Sequence, residues 1–252
     1  MAYSDWYSVE EIYAGTSLRD ESRKEDYAMA LHGLEIDEAI LDNRNALMKE
    51  LNHSLERCVF PHEVHGTHIH KVTAKDLGKG AFQKNNAIAE CDGLYTKEKN
   101  ILLGIFTADC VPILIYDKGQ HIICALHAGW KGTVNEITNK MLDILLIEEN
   151  SDPQELYAYI GPCIDFFSYE VGEDVKEQVQ KMSFATDRFM IDKGQGKYLL
   201  DLKRLNMEMM LRKGIPDLHI FMHHGDTVEN NEDFFSNRLG DIGRNLTFIL
   251  QK

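Results

Sequence analysis

Apolar positions along this chain follow two periodicities, and the order in which these alternate predicts the fold. Three runs near the middle, Asn100 to Phe106, Val111 to Tyr116 and His121 to His127, are dense in Ile, Leu and Val and show no polar face. That is the pattern of strands buried on both sides. Asp117-Lys118-Gly119-Gln120 separates the last two as a hairpin-type turn. From Gly129-Trp130 onward the period changes, and Val134, Ile137, Met141, Ile144 and Leu145 share one face of a helix opening directly behind the third run. A strand from Leu156 to Ile160 breaks at Gly161-Pro162, and a helix from about Val171 to Met182 follows. Another helix from Leu202 to Lys213 ends at Gly214, and Leu218 to Met222 and Leu246 to Leu250 read as the last strands.

Upstream the signal is weaker. Ile36, Ile40, Leu47 and Leu51 recur at helical spacing, which predicts a helix from about Glu35 to Leu51. Arg57 to Val72 is strand-like, interrupted by Pro61 and Gly66, while the first ~35 residues are polar and read as a loop or short ribbon. Strands and helices interleave with no internal repeat and no low-complexity linker. This predicts the α/β (α+β) class, a layered mixed β-sheet with flanking helices, as one domain over residues 1–252.

Composition narrows the function classes. A formal net charge of -14 argues against a phosphate-backbone binder, since nucleic-acid affinity draws on clustered Lys and Arg. No stretch reaches the ~20 continuous apolar residues of a membrane span. The start, Met1-Ala2-Tyr3-Ser4-Asp5-Trp6, lacks the basic and apolar regions of a signal peptide, so the expected location is the cytoplasm. The five cysteines are odd in number and include no C-x-x-C pair, as expected of reduced thiols, most of them small core residues.

Chemistry concentrates where apolar runs end. Thr107-Ala108-Asp109-Cys110 and Leu126-His127-Ala128-Gly129-Trp130 put a thiol and an imidazole at the ends of two neighbouring strands. The hairpin through Asp117 to Gln120 brings residues near 110 and 127 to the same end of the sheet. Such a pair forms either a metal site or a nucleophile–base pair. His65, in a segment that also holds His62, His68 and His70, is the third candidate; His68 and His70 share a strand face that His65, beyond Gly66, does not. One Cys and two His match the three-ligand set of open catalytic zinc sites, where the ion lowers the pKa of bound water to about 7. Lys131, in the turn Gly129-Trp130-Lys131-Gly132-Thr133 that opens a helix, is a candidate anion contact, against the plainer reading of a glycine turn with Trp130 in the core. Arg238 and Arg244 are candidates for a phosphate or carboxylate.

Taken together, Glu63-Val64-His65-Gly66, Cys91-Asp92-Gly93, Thr107-Ala108-Asp109-Cys110, His127-Ala128-Gly129-Trp130-Lys131-Gly132, Ile160-Gly161-Pro162-Cys163-Ile164, Tyr169-Glu170-Val171 and Phe234-Phe235-Ser236 resemble the bacterial laccase-domain family. That family is also called YfiH-like, multicopper polyphenol oxidase or purine nucleoside phosphorylase. The resemblance runs from about Asn43-Arg44 to the C-terminus. It implies a fold similar to that of a toxin deamidase and a zinc site at His65, Cys110 and His127, with copper as the alternative metal. It implies phosphorolysis of adenosine, inosine, guanosine and methylthioadenosine, with adenosine deamination as a second activity and Arg44 as a phosphate or substrate contact. The expected partners are a purine nucleoside and phosphate, with no nucleic acid or membrane, in a monomer or small homo-oligomer. Where family members commonly carry Gln, Cys-Thr and Tyr, this chain has Glu63, Asp226-Thr227 and Asn237, and the N-terminal segment is compressed to Gly15-Thr16-Ser17-Leu18-Arg19.

Three other functions fit parts of the pattern. Cys110 and His127 suit a metal-free hydrolase. Copper-dependent phenol oxidation calls for many paired His-x-His motifs, and this chain's 11 histidines supply one, His68-Ile69-His70. A metal-binding module without turnover would accommodate the departures at Asp226 and Asn237.

Overall fold

In the computed structural model, which describes residues 3–6, 11–31 and 37–252, the apolar runs form two stacked sheets. The five-stranded sheet runs β1 (Tyr3–Asp5), β2 (Ile12–Ser17), β14 (Asn245–Gln251), β6 (Leu102–Thr107) and β3 (Cys58–Val59), with only the last pair parallel. The six-stranded sheet runs β13 (Ile220–Met222), β9 (Leu156–Ile160), β7 (Val111–Asp117), β8 (Ile122–Ala128), β5 (Gly93–Thr96) and β4 (Ile69–Lys71), parallel at its two outer pairs. A small antiparallel sheet of β10 (Glu170–Gly172), β12 (Lys197–Leu200) and β11 (Met190–Gly194) completes the described strands.

Strand alternation divides the apolar side chains among three cores. Along β8, Ile122, Cys124, Leu126 and Ala128 face the helices, while Ile123 and Ala125 face the other sheet. Along β14, Leu246, Phe248 and Leu250 face outward and Ile249 inward. The outer face of the six-stranded sheet is covered by Ile137, Met141 and Leu142 of α3 (Ile137–Asp143) and Leu202, Leu205, Met209 and Met210 of α5 (Leu202–Arg212), with Val175 and Val179 of α4 (Glu173–Val179) in the same core. The outer face of the five-stranded sheet is covered by Leu47 and Met48 of α1 (Glu38–Glu50). The result is a helix–sheet–sheet–helix stack, so both sheets are buried on both faces, as the unpatterned apolar runs require.

Several local expectations change. Ile12–Ser17, within the segment read as a loop or ribbon, is an interior strand whose small and β-branched residues were too few to stand out. Between Arg57 and Val72 only the two ends pair as strands, and the interior is the loop that carries Glu63 and His65. The helix behind β8 is divided by Glu136, in a left-handed conformation at φ 59, into α2 (Trp130–Val134) and α3. The segment from Val171 opens as a strand and becomes helical only at Glu173. Asp37 caps α1 by accepting from the amides of Ala39 and Ile40; the expected start at Glu35 and Ile36 lies outside the described residues.

Candidate active site

Register decides which side chains meet. Val111 pairs with Ala128 and Pro112 with His127, so Cys110, one residue before β7, lies beside the end of β8. Alternation turns His127 toward the space between the sheets, on the face of Ile123 and Ala125. The C-terminal ends of β6, β8 and β9 and the N-terminal ends of β5, β7 and β14 lie at this same end of the stack. The loop after β3 delivers His65, held at φ 59, with its ring 4.7 Å from that of His127 in an edge arrangement. One ligand atom each of His65, Cys110 and His127 falls within 4.8 Å of the others.

Asp92 builds this triad. It is fully buried just before β5, and its carboxylate accepts from the amides of Val64 (3.3 Å), His65 (2.9 Å) and Gly66 (2.8 Å) and bonds His127 Nδ1 at 2.8 Å. Its backbone carbonyl accepts from the His127 amide at 2.8 Å. One carboxylate thus orients both imidazole carriers and leaves Nε2 of His127 for the centre, the arrangement that supports metal-bound histidine. Gly129 keeps the centre open, since a Cβ there would lie 2.9 Å from Cys110 Sγ and 3.1 Å from the His65 ring. A thiolate and two imidazoles around a space that a single methyl group would obstruct fit a borderline-soft divalent ion.

The charges are coupled. Burial opposes ionisation of Cys110, but the His127 charge and hydrogen bonds from His127 and His65 outweigh it and draw the thiol down to about 6. Burial likewise opposes protonation of His127, yet the Cys110 and Glu63 charges and the Asp92 hydrogen bond raise it well above the ordinary imidazole value. Each group therefore favours the charged form of the other, a thiolate beside an imidazolium. Desolvation pushes Glu63 up to about 7 while its Oε1 accepts from the Phe106 amide at 2.7 Å.

The centre opens into a cavity of about 610 Å³. Arg44 lies at its depth, with Nε donating to the Met29 carbonyl and Nη1 to the carbonyls of Gly80 and Ala81, its guanidinium 4.9 Å from the rings of both Phe60 and Phe106. Burial pulls that guanidinium down to about 9, so it stays charged at neutral pH. Arg238, Asn237 and Arg244 line the same cavity. Asp109, at φ 82, also lines it, its carboxylate accepting from Thr227 Oγ1 and the Arg238 amide at 2.6 Å each. Lys131 does not line it: the side chain is exposed and its ammonium lies 5.7 Å from the Trp130 ring. Sequence reasoning overlooked Asp92 as an organiser, although an acidic residue set between Cys91 and Gly93, directly before the apolar Leu94-Tyr95, was a usable signal.

The family model described as multi-copper polyphenol oxidoreductase laccase matches residues 17–252. The chain belongs to this family. Within the laccase family its relatives include purine nucleoside phosphorylase YlmD of Bacillus subtilis (strain 168), 33% identical over 98% of this chain and 93% of that protein. Purine nucleoside phosphorylase YlmD of Geobacillus stearothermophilus is 35% identical over 88% of this chain and 82% of its own length. Among solved structures, a Bacillus licheniformis hypothetical protein, YfiH, superposes with a TM-score of 0.91 at 31% identity, covering 96% of this chain and 93% of its own. In this laccase-family chain the one His-x-His pair is engaged away from the centre: His68 Nδ1 bonds the Glu90 carbonyl and His70 Nε2 bonds Asp76.

Proposed function

We propose that the chain is a zinc-dependent purine nucleoside phosphorylase with adenosine deamination as a second activity, acting on adenosine, inosine, guanosine and methylthioadenosine. The observation that carries this reading is the convergence of His65, Cys110 and His127 in an arginine-lined cavity, on a chain whose relatives at 33% and 35% identity bear the name purine nucleoside phosphorylase. Zinc held by the three side chains supplies Lewis acidity to an electron-rich atom of the reacting group. Copper is the alternative occupant.

The chain's own groups account for the remaining needs. Arg44 holds phosphate and Arg238 orients the nucleoside. In phosphorolysis a phosphate oxygen bonds to C1′ of the ribose and the C1′–N9 bond breaks, leaving negative charge on the purine. Glu63, whose carboxyl holds its proton up to about pH 7, neutralises that charge by donating to a purine nitrogen. In deamination the ionised form of the same carboxyl, present as pH rises through about 7, takes a proton from the water that adds at C6 and returns it to the departing ammonia. Asp109 is the alternative shuttle, and its fixed bonds to Thr227 and Arg238 suit it better to positioning.

Purified protein incubated with adenosine, with and without phosphate, tests the reading by chromatography. Phosphate-dependent adenine and ribose 1-phosphate, absent in His127→Ala, is the expected result; inosine alone assigns deamination as the main activity, and no product in either condition refutes both.

A second reading is favoured by the Cys110–His127 pair, whose thiol is drawn down to about 6. It is a metal-free hydrolase with Cys110 as nucleophile and His127 as base. Activity that survives thorough chelation and is lost to a thiol reagent would establish it.

A further inference from the structure

The arginines of the cavity are held by neutral acceptors, whereas most arginines elsewhere among the described residues face a carboxylate. Among the described residues outside the cavity, Arg19, Arg23, Arg188, Arg204 and Arg212 each pair with a carboxylate, and Arg57 gives Nε to the Asn100 carbonyl at 2.6 Å. The three cavity arginines pair with no carboxylate among the described residues. Arg44 bonds only carbonyls. Arg238 reaches the carbonyls of Ser168 (3.4 Å) and Glu170 (3.1 Å) and lies 5.5 Å from the Tyr169 ring. Arg244 gives Nη1 to the carbonyls of Asp241, Ile242 and Gly243 and Nη2 to Asn237 Oδ1 at 3.2 Å. Neutral acceptors fix a guanidinium without cancelling its charge, so its field is left for whatever enters the cavity. On a chain of net charge -14, three such groups around one space mark an anion site.

They occupy two levels. Arg44 is 1% exposed, whereas Arg238 is exposed and Arg244 half-buried at the mouth. Met29 links the levels, its amide donating to the Arg244 carbonyl at 3.0 Å and its carbonyl accepting from Arg44 Nε at 2.7 Å. A single phosphate needs one level.

We propose that the cavity has two anion subsites, Arg44 at its depth for inorganic phosphate and Arg238 with Arg244 at its rim, and that its substrates include nucleoside 5′-monophosphates. The inference rests on the phosphorylase reading and extends its substrate class. A cavity of about 610 Å³ lies within the roughly 300–1,000 Å³ of small-molecule sites. In the reaction a phosphate oxygen bonds to C1′, the C1′–N9 electron pair leaves with the purine, which takes a proton, and the sugar product is ribose 1,5-bisphosphate.

Calorimetric titration of AMP and of adenosine, with and without saturating inorganic phosphate, tests this on the wild type, Arg244→Gln and Arg244→Lys. AMP is expected to bind at least roughly tenfold more tightly than adenosine, the gain from charge-assisted contacts to its phosphate. That advantage should persist in saturating phosphate, shrink in Arg244→Gln and survive in part in Arg244→Lys. Equal binding of AMP and adenosine overturns the proposal, as does displacement of AMP by inorganic phosphate or an unchanged ratio in Arg244→Gln. If Arg244→Gln does not fold, the wild-type titrations decide alone. Failure of the phosphorylase reading shows separately, as no adenine released from adenosine, and leaves these titrations readable.

Discussion

Asp92 and Glu63 are two acids beside His127, with opposite electrostatics. Burial pushes Asp92 up, but the His127 hydrogen bond and charge and the amides of Val64 and Gly66 hold it below the usual carboxylate value. Glu63 has one amide donor, and desolvation wins. Two expectations follow at this scale. Asp92→Ala should weaken zinc binding by about 10- to 100-fold, the usual cost of removing a metal histidine's partner, in a chelator-competition titration; unchanged affinity would show that His127 needs no orienter. Glu63→Gln should remove a pH dependence. The folded carboxyl titrates at about 7 against its ordinary 4.5, so its contribution to stability is fully present below 4.5 and is lost as pH rises through 7. Wild-type thermal stability should therefore fall across that window more steeply than that of Glu63→Gln. If Glu63 donates the proton to the purine, phosphorolysis declines above pH 7, and the variant loses both that limb and roughly 10²- to 10⁴-fold in rate.

Among the elements, the β7–β8 hairpin does most to place the chemistry. Its register is set by a four-residue turn in which Asp117 Oδ1 accepts from the Gln120 amide at 2.9 Å, and by seven consecutive pairings along the strands. A slip of one residue would turn His127 toward the helices. The turn into α2 is equally constrained, because Gly129 leaves no room for a side chain between Cys110 and His65. Gly129→Ala should keep the fold, by circular dichroism, and lose metal stoichiometry. Full zinc occupancy in that variant would mean that the centre lies elsewhere in the cavity. The hairpin was legible because both strands are continuous apolar runs. The three-stranded ribbon of β10, β11 and β12 was not, since Met190–Gly194 is mostly exposed and its pairing turns on the Gly194-Gln195-Gly196 reversal rather than on an apolar pattern.

At the scale of the whole molecule, the C-terminal strand is interior. β14 lies between β2 and β6, and Leu246, Phe248, Ile249 and Leu250 are at most 2% exposed. Deleting one such side chain costs about 2–5 kcal/mol, against a total stability of about 5–15 kcal/mol. A chain ending at residue 244 should therefore be unfolded by circular dichroism, although it retains His65, Cys110 and His127; a folded, zinc-binding truncation would refute the two-sheet account. The strand order also interleaves distant segments, so we propose that the chain unfolds as one unit, with a single calorimetric transition that moves upward with zinc.

The sequence by itself determined the layer class, the central strands and the ends of strands where chemistry could sit, because buried runs and glycine turns are local patterns that no partner segment need complete. It also carried the family, through an ordered set of short motifs. What only the tertiary structure decided is which of those ends share a space. Cys110 and His127 are joined by one hairpin and could be paired by counting, whereas His65, Asp92 and Arg44 reach the site from segments whose positions depend on parallel pairings and on the stacking of two sheets. Such contacts join residues far apart in the chain, and their geometry is set by the packing of the whole core rather than by any window of sequence.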